Sequence, residues 1–219
     1  MTYLELVNKV LLRLRENQVS TVQGSGNSNA YARLIGEFVN EAKAQVESAW
    51  DWSTLRNTLT VTTESGVFNY ELNGSQNNFK VLSVWNDTSK IELEYADAHW
   101  FNEVFRAAPV ATGPAAFYNF NGVSSDYDTQ VDLYPIPDGV YTIRFDVTLR
   151  NPALSADADK LYIPSRPVIL LATAMAIEER GEDGGQQSNN AYAAYRSALA
   201  DEIALDAARH PEDTIWYSV

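Results

Sequence analysis

The side chains in this sequence that could do chemistry are carboxylates, aromatics and two histidines; there is no cysteine. That excludes disulfides, a thiolate nucleophile and thiolate-held zinc or iron–sulfur centres. Two histidines are too few for a His-rich metal centre. His99, beside Trp100, reads as a surface residue, and His210 as a helix-terminal one favoured by the dipole. No Gly-x-Ser-x-Gly elbow could supply a serine for either. Glu178 and Glu179 are adjacent on a helix, so they face different directions and make a poor acid/base pair for glycoside hydrolysis. Asp126, Asp128 and Asp132 resemble a calcium-loop fragment but lack its turn glycine and closing glutamate. Gly24-Ser25-Gly26 is not followed by Lys-Ser/Thr, so no phosphate loop is read there. Phe117, Tyr118 and Phe120 could stack on a sugar or a base; core filling or a subunit contact is the simpler use. The expectation is a protein with no catalytic site, no metal and no cofactor.

Contact chemistry remains. At the end of the sequence Ile215, Trp216, Tyr217 and Val219 place four apolar or aromatic side chains in five positions, behind Glu212-Asp213. Trp and Tyr are the residue types that dominate interface energies. The segment 211–219 is therefore either a partner-binding tail or an end folded back onto the helices.

The elements that must position these residues follow from periodicity. Leu4, Val7, Leu11 and Leu14 predict a helix over about 2–16, and Ile35, Phe38, Ala42, Val46 and Ala49 a second over 30–50. Residues 56–150 read as β structure. Leu59, Val61 and Thr63 alternate with polar neighbours, and 67–72, 80–85 and 90–95 follow as short strands. Residues 97–105 read as one or two helical turns. Pro135-Ile136-Pro137-Asp138-Gly139 reads as the turn of a hairpin joining 130–134 to 140–150. Val168 to Ile177 is apolar nearly all round and predicts the most buried helix, 166–180, capped by Ser165 and stopped by Gly181. Tyr192, Tyr195, Leu199 and Ile203 stripe a last helix over 190–209. The predicted fold class is α+β. N- and C-terminal helix pairs (1–55 and 151–210) form a four-helix bundle, and 56–150 is an inserted, mainly antiparallel β domain.

Composition bounds the function. The 219 residues hold 45% hydrophobic and 21% charged side chains, with 5 Trp, 12 Tyr and 8 Phe, ordinary for a folded protein and generous in contact residues. Sixteen basic against 29 acidic residues give a net charge of −13, the wrong sign for gripping phosphates. The acidity is uneven: residues 1–56 balance to zero, 57–150 sum to −7 and 151–219 to −6. Lys9, Arg13 and Arg15 interrupt the N-terminal apolar stretch, so no secretory signal is read there. The longest apolar run falls far short of the roughly 20 residues that span a bilayer. No membrane partner is expected.

Several runs, in order, carry a resemblance. They are Leu6-Val7-Asn8-Lys9-Val10-Leu11-Leu12-Arg13-Leu14, Phe38-Val39-Asn40-Glu41-Ala42-Lys43, and Trp50-Asp51-Trp52 leading into Leu55-Arg56. Leu133-Tyr134-Pro135-Ile136-Pro137-Asp138-Gly139 follows, then Ile163-Pro164 through Glu178-Glu179-Arg180-Gly181-Glu182, then Tyr192 to Arg209. Together they resemble the head-to-tail adaptor of short-tailed bacteriophages, the tail tubular protein A type. The likeness spans nearly the whole chain and is weakest over 80–128. It implies a structural virion protein at the head–tail junction, assembled in the host cytoplasm. Twelve copies would form a ring below the portal, extend the DNA channel and dock the tail nozzle, with tail fibres as further candidate partners. It also implies that Ile215, Trp216, Tyr217 and Val219 bind the portal. An acidic lumen would let DNA slide without sticking. The alternatives are a carbohydrate-binding or carbohydrate-active protein, or another tail-completion component.

Overall fold

The computed structural model describes residues 1–24, 27–76, 78–106, 109–181 and 185–209, with only the backbone for 27–29. In chain order the described helices and strands begin with α1 (Tyr3–Arg13), α2 (Asn27–Ala49), β1 (Arg56–Thr62), β2 (Asn69–Leu72) and β3 (Phe79–Asn86). Next come β4 (Ile91–Glu92), β5 (Glu94–Tyr95), α3 (Ala98–Arg106), β6 (Phe117–Val123) and β7 (Thr129–Tyr134). The last are β8 (Thr142–Leu149), α4 (Ser165–Arg180) and α5 (Gln186–Ala207). The chain divides into two compact units: Met1–Leu55 with the chain from Asn151 onward, and Arg56–Arg150.

In the helical unit, α1 buries Tyr3, Leu6, Val7, Val10 and Leu11, the three- and four-residue spacing of one helix face. Thr2 and Glu5 cap it reciprocally, each side chain bonding the other's backbone N–H. The connection after Asn151 is stitched to the helices by backbone bonds, Tyr3 N–H to the Asp159 carbonyl at 2.8 Å and Leu161 N–H to the Met1 carbonyl at 3.0 Å. Asn40 on α2 reads the Leu154 backbone in both directions, at 2.8 and 3.0 Å. Buried Lys43 pairs with Glu47 at 3.1 Å and donates to the Asn151 carbonyl at 2.7 Å. Gly36 belongs to α2 because the Tyr3 ring lies against it; a Cβ there would collide with the Tyr3 hydroxyl.

The expected four-helix bundle is not what forms. The described residues hold five helices and two four-stranded sheets, and one helix, α3, lies in the β unit. Within the helical unit α4 is a hub that packs on α1, α2 and α5, while α5 lies chiefly along α4. The cause is compositional. α4 buries Val168, Ile169, Leu171, Ala172, Thr173, Ala174 and Ala176, which face right round the helix and need neighbours on every side. α5 buries only Ser188, Ala198 and Asp206, and its aromatic stripe is half-buried. Gly181 ends α4 in the left-handed conformation, φ 63°, as its position predicts. Ser165 does not cap α4: it is the first helical residue, and Pro164 stands at the cap with no side-chain hydrogen bond.

The β unit is two sheets sharing one core. The first runs β1-β8-β3-β4 and is antiparallel throughout; the second runs β2-β7-β6-β5, with β5 parallel to β6. Val61, Val84, Ile143, Phe145 and Val147 from the first meet Leu72, Tyr118, Val131 and Leu133 from the second. The expected hairpin across Pro135–Gly139 is absent. β7 pairs with β2 and β6, β8 with β1 and β3, and the turn carries the chain from one sheet to the other. Its residues bond to 63–66 instead of closing on a partner arm. Gly66 N–H donates to the Pro137 carbonyl, and the buried Thr63 hydroxyl donates to the Gly139 carbonyl and accepts from Tyr141 N–H. β7 also buries Val131, Asp132 and Leu133 consecutively, the mark of a strand covered on both faces.

Candidate interaction surfaces

The residues singled out for chemistry separate in space or turn inward. His99 is exposed, 3.5 Å from Glu103 on the next turn of α3. Asp128 accepts from the Gln76 and Gly74 amides at 2.8 and 3.0 Å, which hold its carboxyl below the usual range, first through Gln76 and then Gly74. Asp132 accepts instead from Asn69, at 2.6 Å. These aspartates therefore bind neighbouring loops and strands, and among the described residues no cluster of acidic or His side chains could hold a metal. Glu178 accepts from the Tyr192 hydroxyl at 2.6 Å; burial, then that bond, pushes Tyr192 up to about 12. Phe117 stacks on Trp100 at 4.8 Å, while Tyr118 and Phe120 meet Phe145 and Phe79. Among the described residues no helix is long and apolar enough to cross a membrane.

Two of the open recesses among the described residues bear on contact. The first lies on the helical unit at the C-terminal end of α5, a groove of about 450 Å³. Trp52, 1% exposed, belongs to the packed core beneath it, while Tyr162 and Leu205 stand 60% and 62% exposed at its walls. Arg166 and Arg209 line it together with Glu202 and Asp206, so its charges balance. Asp206 fixes this corner. Its carboxylate accepts from the Ser53 hydroxyl at 2.6 Å, the Ser53 amide at 3.0 Å and the Trp50 indole at 3.1 Å, tying α5 to the segment that follows α2. Burial pushes its pKa up, but the Ser53 and Trp50 hydrogen bonds and nearby Arg209 more than offset that, leaving it below the usual range.

The second surface is the open side of the β unit, where Phe79, Val81, Phe120 and Val123 line an apolar recess. β4 and β5 are only two residues long, so each leaves most of the strand beside it uncovered. Both uncovered strands carry bulges, between Val81 and Ser83 and between Phe120 and Val123, which blunt them against strand addition.

Ile215, Trp216, Tyr217 and Val219, and with them His210, lie outside the described residues. The groove walls escaped the sequence reading. Their one signal is Leu205, an apolar residue two positions past Ile203 and hence off the stripe that faces the core.

The model of the SU10 adaptor protein family matches residues 1–215, essentially the whole chain. No curated protein matches the chain significantly. The order of helices around an inserted β unit and the open contact surfaces suit a protein that works by assembly. The chain belongs to the SU10 adaptor protein family and is a phage head-to-tail adaptor, a structural component of the virion.

Proposed function

We propose that this adaptor works as the tail tubular protein A type does. Twelve copies assemble as a ring below the portal, continue the DNA channel and receive the tail nozzle at the far side, where tail fibres can also attach. The observation that carries the reading is the family match across residues 1–215. The charge supports it: copies of net charge −13 repel one another in solution and line a channel that phosphates slide past. The portal then supplies the binding energy that orders the ring, and the free protein is monomeric. In this reading 1–55 with 151–210 and the inserted 56–150 act as separate parts, and 211–219 is the portal-binding tail.

The tail's anchors are Ile215, Trp216, Tyr217 and Val219, with Trp216 foremost. Ordering about eight residues costs roughly 8–16 kcal/mol of backbone entropy, so several anchors must be buried together. Sedimentation with purified portal tests the proposal. The full chain co-sediments, whereas a chain lacking 212–219 keeps its helical circular dichroism and stays behind. Full binding by the truncated chain removes the tail's role; a full chain that ignores the portal removes the reading.

A further inference from the structure

We infer that the outer face of the β1-β8-β3-β4 sheet docks, head to tail, on the α3 side of the β unit of a second copy. This deepens the ring reading above, on which it rests, by naming the faces that meet. Strand alternation makes the first face. Val61, Val84, Ile143, Phe145 and Val147 point into the core shared with the other sheet, so their neighbours along each strand point away from it. Arg56, Thr148 and Lys80 thereby form one row across three strands, and Thr60, Arg144 and Trp85 another. Between the rows Asp146 accepts from the Thr58 and Ser83 hydroxyls at 3.0 and 3.1 Å. Among the described residues of the β unit nothing is laid over this face: α3 packs on β6, in the other sheet. Arg56, Thr60 and Lys80 are exposed, and Leu82 beside them is 42% exposed.

Charge sorts between the two sides of the unit. The first face carries Arg56, Lys80 and Arg144 against Asp146 and, at its edge, Asp87, which pairs with Arg144 at 3.5 Å. It is a net positive face in a segment, 57–150, that sums to −7. On the other side α3 lies over the second sheet, with Trp100 against Phe117 and Tyr134 at 4.8 and 5.4 Å. There Glu71, Glu94, Asp97 and Glu103 stand exposed against Arg106. The outer faces of two sheets that share a core look in opposite directions, so these two meet only between copies. Contact between unlike faces is the heterologous kind that closes rings. Two acidic sides brought together repel each other, which selects the head-to-tail arrangement. The Thr148 hydroxyl, 6% exposed between Arg56 and Lys80, has no hydrogen-bond partner among the described residues, and a carboxylate arriving between the two cations gives it an acceptor. Surface ion pairs are individually weak, so the contact orients neighbours held on a template and does not drive assembly in solution.

The test uses the full chain, whose lack of cysteine lets single cysteines report contacts without background. Thr60→Cys marks the first face and Asn102→Cys, exposed on α3, the second. Each variant alone and the mixture of both are treated with a short bismaleimide, once at high protein concentration in low salt and once on the portal. The mixture should form cross-linked dimers about tenfold faster than either variant alone, and raised salt should remove most of that preference. Lys80→Glu on the Thr60→Cys chain should abolish the preference, and Glu103→Lys on the Asn102→Cys chain should restore part of it. Arg144→Gln gives the same readout should Lys80→Glu disturb the sheet. Equal rates in the mixture and in the single variants overturn the inference, and so does a mixed preference that ignores both charge changes. The solution arm needs no portal, so a portal that ignores the adaptor removes the ring reading and leaves this result standing. Adaptors gathered on the portal without mixed links remove the inference alone.

Discussion

The helical unit and the β unit differ in the polar atoms and the apolar surface they leave without a neighbour. In the helical unit buried Lys43 and Asp206 join one segment to another, Lys43 to Asn151 and Asp206 to Trp50 and Ser53, and half-buried Asn40 does the same with the Leu154 backbone. In the β unit the buried Asn86 amide nitrogen and Thr148 hydroxyl find no hydrogen-bond partner among the described residues. Eight of the twelve large apolar side chains exposed among the described residues also lie there, Tyr95, Tyr127 and Val140 most openly. A network that is fully satisfied rigidifies; surface left apolar and open is surface available to a neighbour. The β unit therefore carries more of the exposed apolar surface, and the helical unit carries part of its own in the groove at the end of α5.

The largest test of that contrast is Leu171→Asp, which puts an unpaired charge into the hub helix at a position 1% exposed. The helical unit should lose its hydrogen-exchange protection while 56–150 keeps its own. Joint collapse of both would break the separation of the two units. Next, Phe145→Ala empties a fully buried position where the two sheets meet. It should cost about 3–5 kcal/mol in the β unit and leave the exchange of α4 unchanged. Gly36→Ala should cost about 1–3 kcal/mol in the helical unit by driving a methyl into Tyr3. Adding Tyr3→Phe should restore part of that loss, because the hydroxyl is what collides. If the double variant is no better than the single one, the close approach of α1 and α2 is misassigned.

The smallest effect concerns pH. The folded-state pKa of Asp206 lies below its unfolded value, so its contribution is complete above that unfolded value of about 3.9 and fades as pH falls through the folded one. Melting curves of the parent and Asp206→Asn should differ at about pH 6 and converge near pH 2. At the alkaline end the sign reverses. Burial, then Glu37 and Asp157, push Tyr3 up to about 12, and Tyr192 reaches the same value. Their contribution is complete below about pH 10 and is lost as pH rises toward the folded values. A parent and a Tyr192→Phe variant with parallel profiles above pH 10 would remove Tyr192 from this account.

What the sequence makes legible is local. The α1 stripe, the Gly181 stop and the alternation of Ile143, Phe145 and Val147 depend on neighbours within a few positions. The errors are long-range. A Pro-Asp-Gly turn says that the chain reverses, not which sheet receives it; Thr63, 76 residues before Gly139, decides that. An apolar stripe says that a helix has a buried face but does not count its neighbours, so three stripes and one helix apolar nearly all round suggest a bundle where α4 is a hub. Asp206 meets Trp50 and Ser53 more than 150 residues away, beyond any periodicity. The groove at the end of α5 shows in the sequence only as Leu205, off the apolar stripe of its helix.

The central claim is that this adaptor builds a ring on the portal, and electron microscopy of the purified chain mixed with its portal tests it most directly. The account predicts a twelve-fold ring of added density below the portal, coaxial with the DNA channel, and no ring from the adaptor alone. A bare portal in the mixture, or adaptor density with no relation to the portal axis, would contradict it.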